Sequence, residues 1–290
     1  MSNNFEKIAV LGAGVMGAQI AGHFANAGIT ALLFDINQEL AQKGVDVLTK
    51  QKPAPLYKPK NAELVSACNY DDHVEKLKDV DLVIEAVAER LDIKHAVYNN
   101  IVPHLKESVI LTSNTSGIPL EDLTKVLSDN LKKRFMITHF FNPPRYMHLL
   151  ELVKGPNTDN SVYDEITRLG EYVLGKGIVH AKDTPNFIGN RIGVYGMAVT
   201  MNTAIEHGLT VEEVDKLTGT VVGRPKSATF RTADVVGLDT MINVSNTSYN
   251  NLDDDEERDQ FKIPDFLQKL VDDGNLGPKT NAGFYKQTDD

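Results

Sequence analysis

With 290 residues the chain can bury one large core or two smaller ones. A net charge of −10 argues against nucleic acid as a general partner, and it means that an anionic ligand needs a local basic patch. No apolar run approaches membrane-spanning length. The single cysteine, Cys68, excludes an internal disulfide and fits a reducing, cytoplasmic setting. No Cys/His cluster points to a zinc or other metal site, and residues 1–7 have neither an export nor an import signature.

Residues 7–11 read as a short apolar strand that runs into Gly12-Ala13-Gly14-Val15-Met16-Gly17. Met16, Ile20 and Phe24 then recur at helical spacing, Gly28 stops the helix, and a second strand at 31–34 ends in Asp35. This is a βαβ unit with G-x-G-x-x-G at its first turn and an acid at the end of the second strand. Gly12 serves the tight turn, Gly14 lets the backbone approach a pyrophosphate, and Gly17 permits close helix–strand packing. The helix N-terminus offers N–H groups and a favourable dipole to the phosphates. Asp35 accepts both ribose hydroxyls and repels a 2′-phosphate, which selects NAD over NADP.

Residues 46–69 break the alternation. Pro53, Pro55 and Pro59 prevent a continuous helix, and Lys50, Lys52, Lys58 and Lys60 fall in a stretch without acids. Either this is a solvated loop or it is a site for the phosphates of a large anionic substrate. Strands resume at 80–85, 109–112, 135–138, 149–153 and 178–181, with helices at 89–103, 120–127 and 162–174. Ser113-Asn114-Thr115-Ser116-Gly117 lies just past a strand end, where open α/β sheets bind ligands. These seven strands with helices between them fit one doubly wound α/β domain, residues 1–184. After Asp183-Thr184-Pro185 the pattern becomes helical, and residues 185–290 are expected to form a smaller all-α domain. Its first helix, 187–207, carries Ile188, Ile192, Tyr195 and Val199 on one face. Thr210 and Glu213 form a capping box, and further helices are expected at 232–246 and 264–271.

The strand at 135–138 leads into His139, and the strand at 149–153 is apolar except for Glu151. A carboxylate in such a run is costly unless paired, and His139 is the obvious partner. The pair is either a structural staple between two strands or a general base fixed by a carboxylate. His23, His95, His104 and His207 fall in or near helices and read as surface or satisfied residues. His148 is three positions from Glu151, on the opposite face of an extended segment.

Taken together, Ser113-Asn114-Thr115-Ser116, His139-Phe140-Phe141-Asn142-Pro143, Glu151 twelve residues after the histidine, and Asp183-Thr184-Pro185 followed by Asn190-Arg191 resemble the 3-hydroxyacyl-CoA dehydrogenase family. The resemblance spans nearly the whole chain, to its Gly-Phe-Tyr end. It implies an L-3-hydroxyacyl-CoA substrate, NAD as oxidant, a Rossmann-type domain and a helical domain that forms a homodimer. It makes His139 the catalytic base and Glu151 its orienting partner, with Ser116 and Asn190 on the substrate oxygen. It lines the dinucleotide with Gly12, Gly14, Val15, Met16, Gly17, Asp35, Glu89, Lys94, Ser116 and Asn142. Compact family members carry a helical hairpin after the second strand to grip CoA. Here the Lys-rich loop replaces part of it, so Lys50, Lys52, Lys58 and Lys60 become candidate CoA contacts. Residues 224–239 look more like members in which an enoyl-CoA hydratase region follows in the same polypeptide. The chain is then either a compact relative or part of a longer protein.

Two other readings stand beside this one. β-Hydroxyacid dehydrogenases share the glycine pattern but use a lysine on the helix joining the domains, and residues 187–207 contain none. A non-catalytic dinucleotide-binding relative, similar to a lens structural protein, shares the fold; retention of both His139 and Glu151 argues against it.

Overall fold

A computed structural model describes residues 5–286 and divides the chain into two compact units, residues 1–184 and 185–290. In the first, eight strands form one sheet: β1 Lys7–Leu11, β2 Thr30–Asp35, β3 Val65–Asn69, β4 Leu82–Glu85, β5 Ile110–Ser113, β6 Phe135–Phe140, β7 Leu149–Lys154 and β8 Gly177–Ala181. Their order across the sheet is β3-β2-β1-β4-β5-β6-β7-β8. All neighbours pair in parallel except β6 and β7. The helices between them are α1 Val15–Asn26, α2 Gln38–Lys50, α3 Tyr70–His73, α4 Leu91–Ile101, α5 Leu120–Thr124, α6 Asp129–Lys132 and α7 Asn160–Arg168.

The central strands are buried and largely apolar because helices cover both faces. Ile8, Val10, Leu33, Ile84, Ile110 and Met136 are buried with Ile20 and Phe24 of α1 in one cluster. The registers Leu11↔Phe34, Leu11↔Glu85 and Glu85↔Ser113 bring the carboxyl ends of β2, β1, β4 and β5 to one edge.

The stretch 46–69 differs from the sequence expectation at both ends. Residues 46–50 finish α2, whose N-terminus Asn37 caps by accepting from the Leu40 N–H. Residues 65–69 form β3, an edge strand beside β2. Edge strands are short and half polar, so Val65-Ser66-Ala67-Cys68-Asn69 lacks the apolar signature of the inner strands. Only the prolines and the turn Pro59–Leu64 between them break the regular structure.

In the second unit α8 Gly189–Glu206, α9 Val211–Thr218, α10 Phe230–Val236, α11 Leu238–Asn251 and α12 Asp265–Asp272 enclose Met201, Phe230, Met241 and Leu267. The Thr210–Glu213 capping box opens α9. The single helix expected at 232–246 is two, because Gly237 adopts φ +97°, outside helical space, and ends α10. The apolar stripe expected on α8 also differs. Val194, Ala198, Met201 and Ala204 face the core, while Ile192 is 67% exposed. Asp234 accepts from the Phe284 and Tyr285 N–H groups, and the Tyr285 hydroxyl donates to Asp215, so two carboxylates fasten the Gly-Phe-Tyr tail.

Candidate active site

The glycine turn forms as its spacing demands. Gly12 has φ +99° and donates its N–H to Phe34 O, and a Cβ there would lie 2.7 Å from Ala86 O. A Cβ on Gly17 would stand 1.8 Å from Gly12 O, so only glycine lets α1 pack on the turn. At Gly14, by contrast, a Cβ would meet nothing within 4 Å. That open floor lies beside the first turn of α1, which has neither a side-chain cap nor an acid. Asp35 Oδ2 accepts from the Ala13 N–H at 2.7 Å and Oδ1 from the Ile36 N–H at 2.7 Å. Each oxygen keeps a lone pair for a hydroxyl. An uncapped helix N-terminus, open space at Gly14 and a fixed carboxylate fit the pyrophosphate and ribose diol of NAD. Val15 is largely exposed and Met16 half-buried at the same turn.

Beside this cradle lies a charged network that the sequence reading found only in part. Glu85, fully buried at the end of β4, accepts from Lys94 Nζ at 2.7 Å, Val87 N at 2.9 Å, Tyr98 Oη at 3.0 Å and Ser113 Oγ at 2.6 Å. Lys94, itself buried, also reaches Glu89 at 3.1 Å. Glu89 Oε1 accepts from Thr115 Oγ1 at 2.6 Å and from the Ser116 N–H at 2.8 Å. Burial alone would raise the Glu89 carboxyl, but the Lys94 ammonium and the Thr115 and Ser116 donors bring it below its usual value. Lys94 is therefore locked between two carboxylates, and Ser116 is oriented by Glu89. Glu85 and Tyr98 have no place in the sequence reading, and Ser113 enters it only as the first residue of the polar run at the end of β5. The signal for Glu85 was the one that singled out Glu151, a lone acid in an apolar strand.

His139 and Glu151 meet because β7 runs antiparallel to β6 and its register sets them directly opposite. His139 Nδ1 lies 2.8 Å from Glu151 Oε2, with Glu151 wholly buried and His139 nearly so. An ionised carboxylate only accepts, so Nδ1 carries the proton and Nε2 keeps its lone pair. That tautomer can take a proton from a hydroxyl. The Phe141 ring lies 4.4 Å from the imidazole, and Asn114 Oδ1 accepts from the Phe140 N–H at 2.8 Å. Asn142 Oδ1 accepts from Gln19 Nε2 on α1 at 3.2 Å, which ties the residue after the histidine strand to the cradle helix.

Lys50, Lys52, Lys58 and Lys60 are all exposed. Their loop is held by more than its prolines. Arg145 Nη1 donates to the carbonyls of Ala54 at 2.7 Å and Leu56 at 2.6 Å, Tyr146 to Ala54, and Asn26 Nδ2 to Pro55 at 2.9 Å. Asn190 stands at the second position of α8, half-buried, in the second unit. Of the remaining histidines, His95 contacts Asp122 O, His104 contacts Glu75, and His148 and His207 are exposed. His23 is buried: its Nε2 meets Leu174 O at 3.1 Å while Nδ1 has no partner. Burial and the nearby Lys176 ammonium push it down to about 4.

A dinucleotide cradle with its acid, beside a carboxylate-braced histidine on a doubly wound sheet, defines a Rossmann-type NAD-dependent dehydrogenase. Residues 7–184 match the model of the 3-hydroxyacyl-CoA dehydrogenase NAD-binding domain, and residues 187–287 match that of the family's C-terminal domain. The chain belongs to the 3-hydroxyacyl-CoA dehydrogenase family. It is 44% identical, over 99% of its length, to a Bacillus subtilis protein named "Probable 3-hydroxyacyl-CoA dehydrogenase", of which it spans 39%. A Deinococcus radiodurans protein of the same name is 44% identical over 98% of this chain and 84% of its own. The crystal structure of (S)-3-hydroxybutyryl-CoA dehydrogenase from Ralstonia eutropha superposes with a TM-score of 0.83 at 30% identity, covering 98% of this chain and 100% of that one. Among the described residues, no helix is long and apolar enough to cross a membrane.

Proposed function

We propose that this protein oxidises the secondary alcohol of an L-3-hydroxyacyl-CoA with NAD, as in fatty-acid β-oxidation. The observation that carries the reading is the buried His139–Glu151 pair at 2.8 Å, at the strand edge that also holds the cradle. NAD, when bound, accepts the hydride that leaves C3. His139 Nε2 takes the hydroxyl proton, and Glu151 holds the opposite N–H and stabilises the imidazolium as it forms. Ser116 and Asn190 are the residues assigned to the reacting oxygen; Glu89 orients Ser116 through its N–H. Gly12, Gly14, Val15, Met16, Gly17, Asp35, Glu89 and Asn142 line the dinucleotide, and buried Lys94 acts on it through Glu89.

Residues 1–184 supply the cofactor site and the base, and residues 185–290 a dimerising surface. That unit leaves Ile192, Val221 and Val235 more than half exposed, an apolar area that a second copy would cover. The four exposed lysines are assigned to CoA phosphates. A cytoplasmic setting agrees with the single, buried Cys68. The test is NADH consumption with 3-ketoacyl-CoAs of graded length. Turnover supports the reading. NADH binding without turnover of any thioester would instead make the chain a non-catalytic relative.

A further inference from the structure

One buried cation has no place in the chemistry above. Lys176, between α7 and β8, is 5% exposed, and among the described residues it pairs with no carboxylate. Its ammonium donates to the carbonyls of Pro144 and, at 2.9 Å, Met147, and lies 5.8 Å from the Phe140 ring centroid. Burial brings it down to about 8. The backbone it grips is a single tight turn, in which the N–H groups of Tyr146 and Met147 both donate to Pro143 O at 2.9 Å. A cation against the last carbonyls of such a turn satisfies groups that nothing else in the turn can reach.

Two arms leave this turn in different directions. Asn142 accepts from Gln19, on the helix whose N-terminus faces the cradle. Arg145 and Tyr146 hold the backbone of residues 54–56 in the lysine-bearing loop, with the Arg145 guanidinium 4.8 Å from the Tyr57 ring centroid and 5.1 Å from that of Tyr146. A desolvated ammonium without a counter-charge is a costly way to fasten a turn. The cost is explained if the exact pose of both arms matters. Two charge-assisted hydrogen bonds from one nitrogen define that pose more tightly than a neutral side chain would.

We propose that Lys176 is a positioning residue: by clamping the turn at residues 143–147 it sets Asn142 on the cofactor side and the Arg145–Tyr146 grip on the lysine-bearing loop. The functional half of this inference rests on the dehydrogenase reading; the tether itself does not. Lys176→Met keeps the stem and removes the donors, and Arg145→Gln cuts only the loop arm.

The first readout needs no activity. Chymotrypsin cleavage after exposed Tyr57 should accelerate roughly 10-fold in both variants, as the loop opens locally. Unchanged cleavage in Lys176→Met overturns the proposal. The second readout is kinetic. Lys176→Met should raise the KM for acyl-CoA and for NADH by about 5- to 10-fold, with kcat at saturation within about 3-fold of the parent. Arg145→Gln should raise the acyl-CoA KM alone, and the double variant should be no worse than Lys176→Met in that KM. A lowered melting temperature with both KM values intact, or a kcat loss with KM unchanged, overturns the positioning role. If Lys176→Met does not fold, Lys176→Leu, which also removes the donors, takes its place in both assays under the same criteria. Should the parent turn over no acyl-CoA, faster cleavage with weaker NADH binding upholds the tether while the dehydrogenase reading fails.

Discussion

Glu151→Gln separates a staple from a catalytic pair, because the amide can still accept the Nδ1–H but carries no charge. The nitrogen and oxygen are 2.8 Å apart and both groups are buried. With an effective dielectric of about 20, a full imidazolium there gains about 6 kcal/mol from the carboxylate. If about half that charge has formed in the transition state, the stabilisation lost is about 3 kcal/mol, or roughly 10²-fold in kcat. His139→Gln should cost at least as much, and the double variant little more than His139→Gln alone, since the two act as a unit. The assay is NADH consumption with a saturating 3-ketoacyl-CoA, with NADH affinity measured separately by fluorescence. NADH affinity should stay within about 2-fold, because neither residue lies in the cradle. A Glu151→Gln protein with kcat within about 3-fold of the parent would refute the reasoning and leave the pair as a strand staple.

NADH should be strongly preferred over NADPH, and Asp35→Ser, which removes the carboxylate fixed by Ala13 and Ile36, should narrow the gap; equal kcat/KM for both cofactors in the parent would count against it. Replacing Lys50, Lys52, Lys58 and Lys60 by glutamine should raise the acyl-CoA KM and flatten its salt dependence, each exposed contact contributing about 1 kcal/mol or less. An acyl-pantetheine lacking the nucleotide should be unaffected, and equal impairment of both substrates would show that these lysines do not read phosphate. His23 is lowered to about 4 from 6.5, so the unfolded chain binds more protons there; its stabilising effect is complete above pH 6.5 and is lost as the pH falls towards 4. Urea midpoints measured across that window should fall less steeply in His23→Gln than in the parent. Sedimentation at micromolar concentration should give a dimer, and Ile192→Glu should weaken it; a monomeric parent sinks that assignment.

Much of the first unit was legible because its signals are local. A glycine turn, an acid one strand later and a lone acid in an apolar strand each announce themselves within about ten residues. Register then did the rest, since an antiparallel neighbour can place Glu151 opposite His139 in only one way that keeps both in the buried face. What stayed hidden depends on distant partners. β3 is an edge strand whose side chains are not required to be apolar on both faces. The Glu85 network joins residues 85, 94, 98 and 113 across two strands and a helix. Nothing in the prolines of residues 53–59 tells that Arg145, some ninety positions on, holds the carbonyls of Ala54 and Leu56 between them. On α8 apolar residues occupy two faces, and only tertiary packing decides which of them turns inward.

The antiparallel step between β6 and β7 deserves its place in an otherwise parallel sheet. A parallel neighbour to β6 would need a crossover of a dozen or more residues, usually a helix, and its facing acid would arrive from far along the chain. A hairpin instead brings Glu151 back to His139 after twelve residues, and its connection, residues 141–148, emerges at the edge where His139 stands. That one connection carries Asn142 towards the cradle helix and Arg145 towards the lysine-bearing loop. Charge is buried on both sides of it, Glu151 in β7 and Lys176 before β8, the first against His139 and the second against the carbonyls of the connection. Geometry at His139 and geometry at the contacts of Asn142 and Arg145 thus share one short segment. A lesion at Lys176 should therefore appear in binding and one at Glu151 in turnover, although β7 and β8 are adjacent strands.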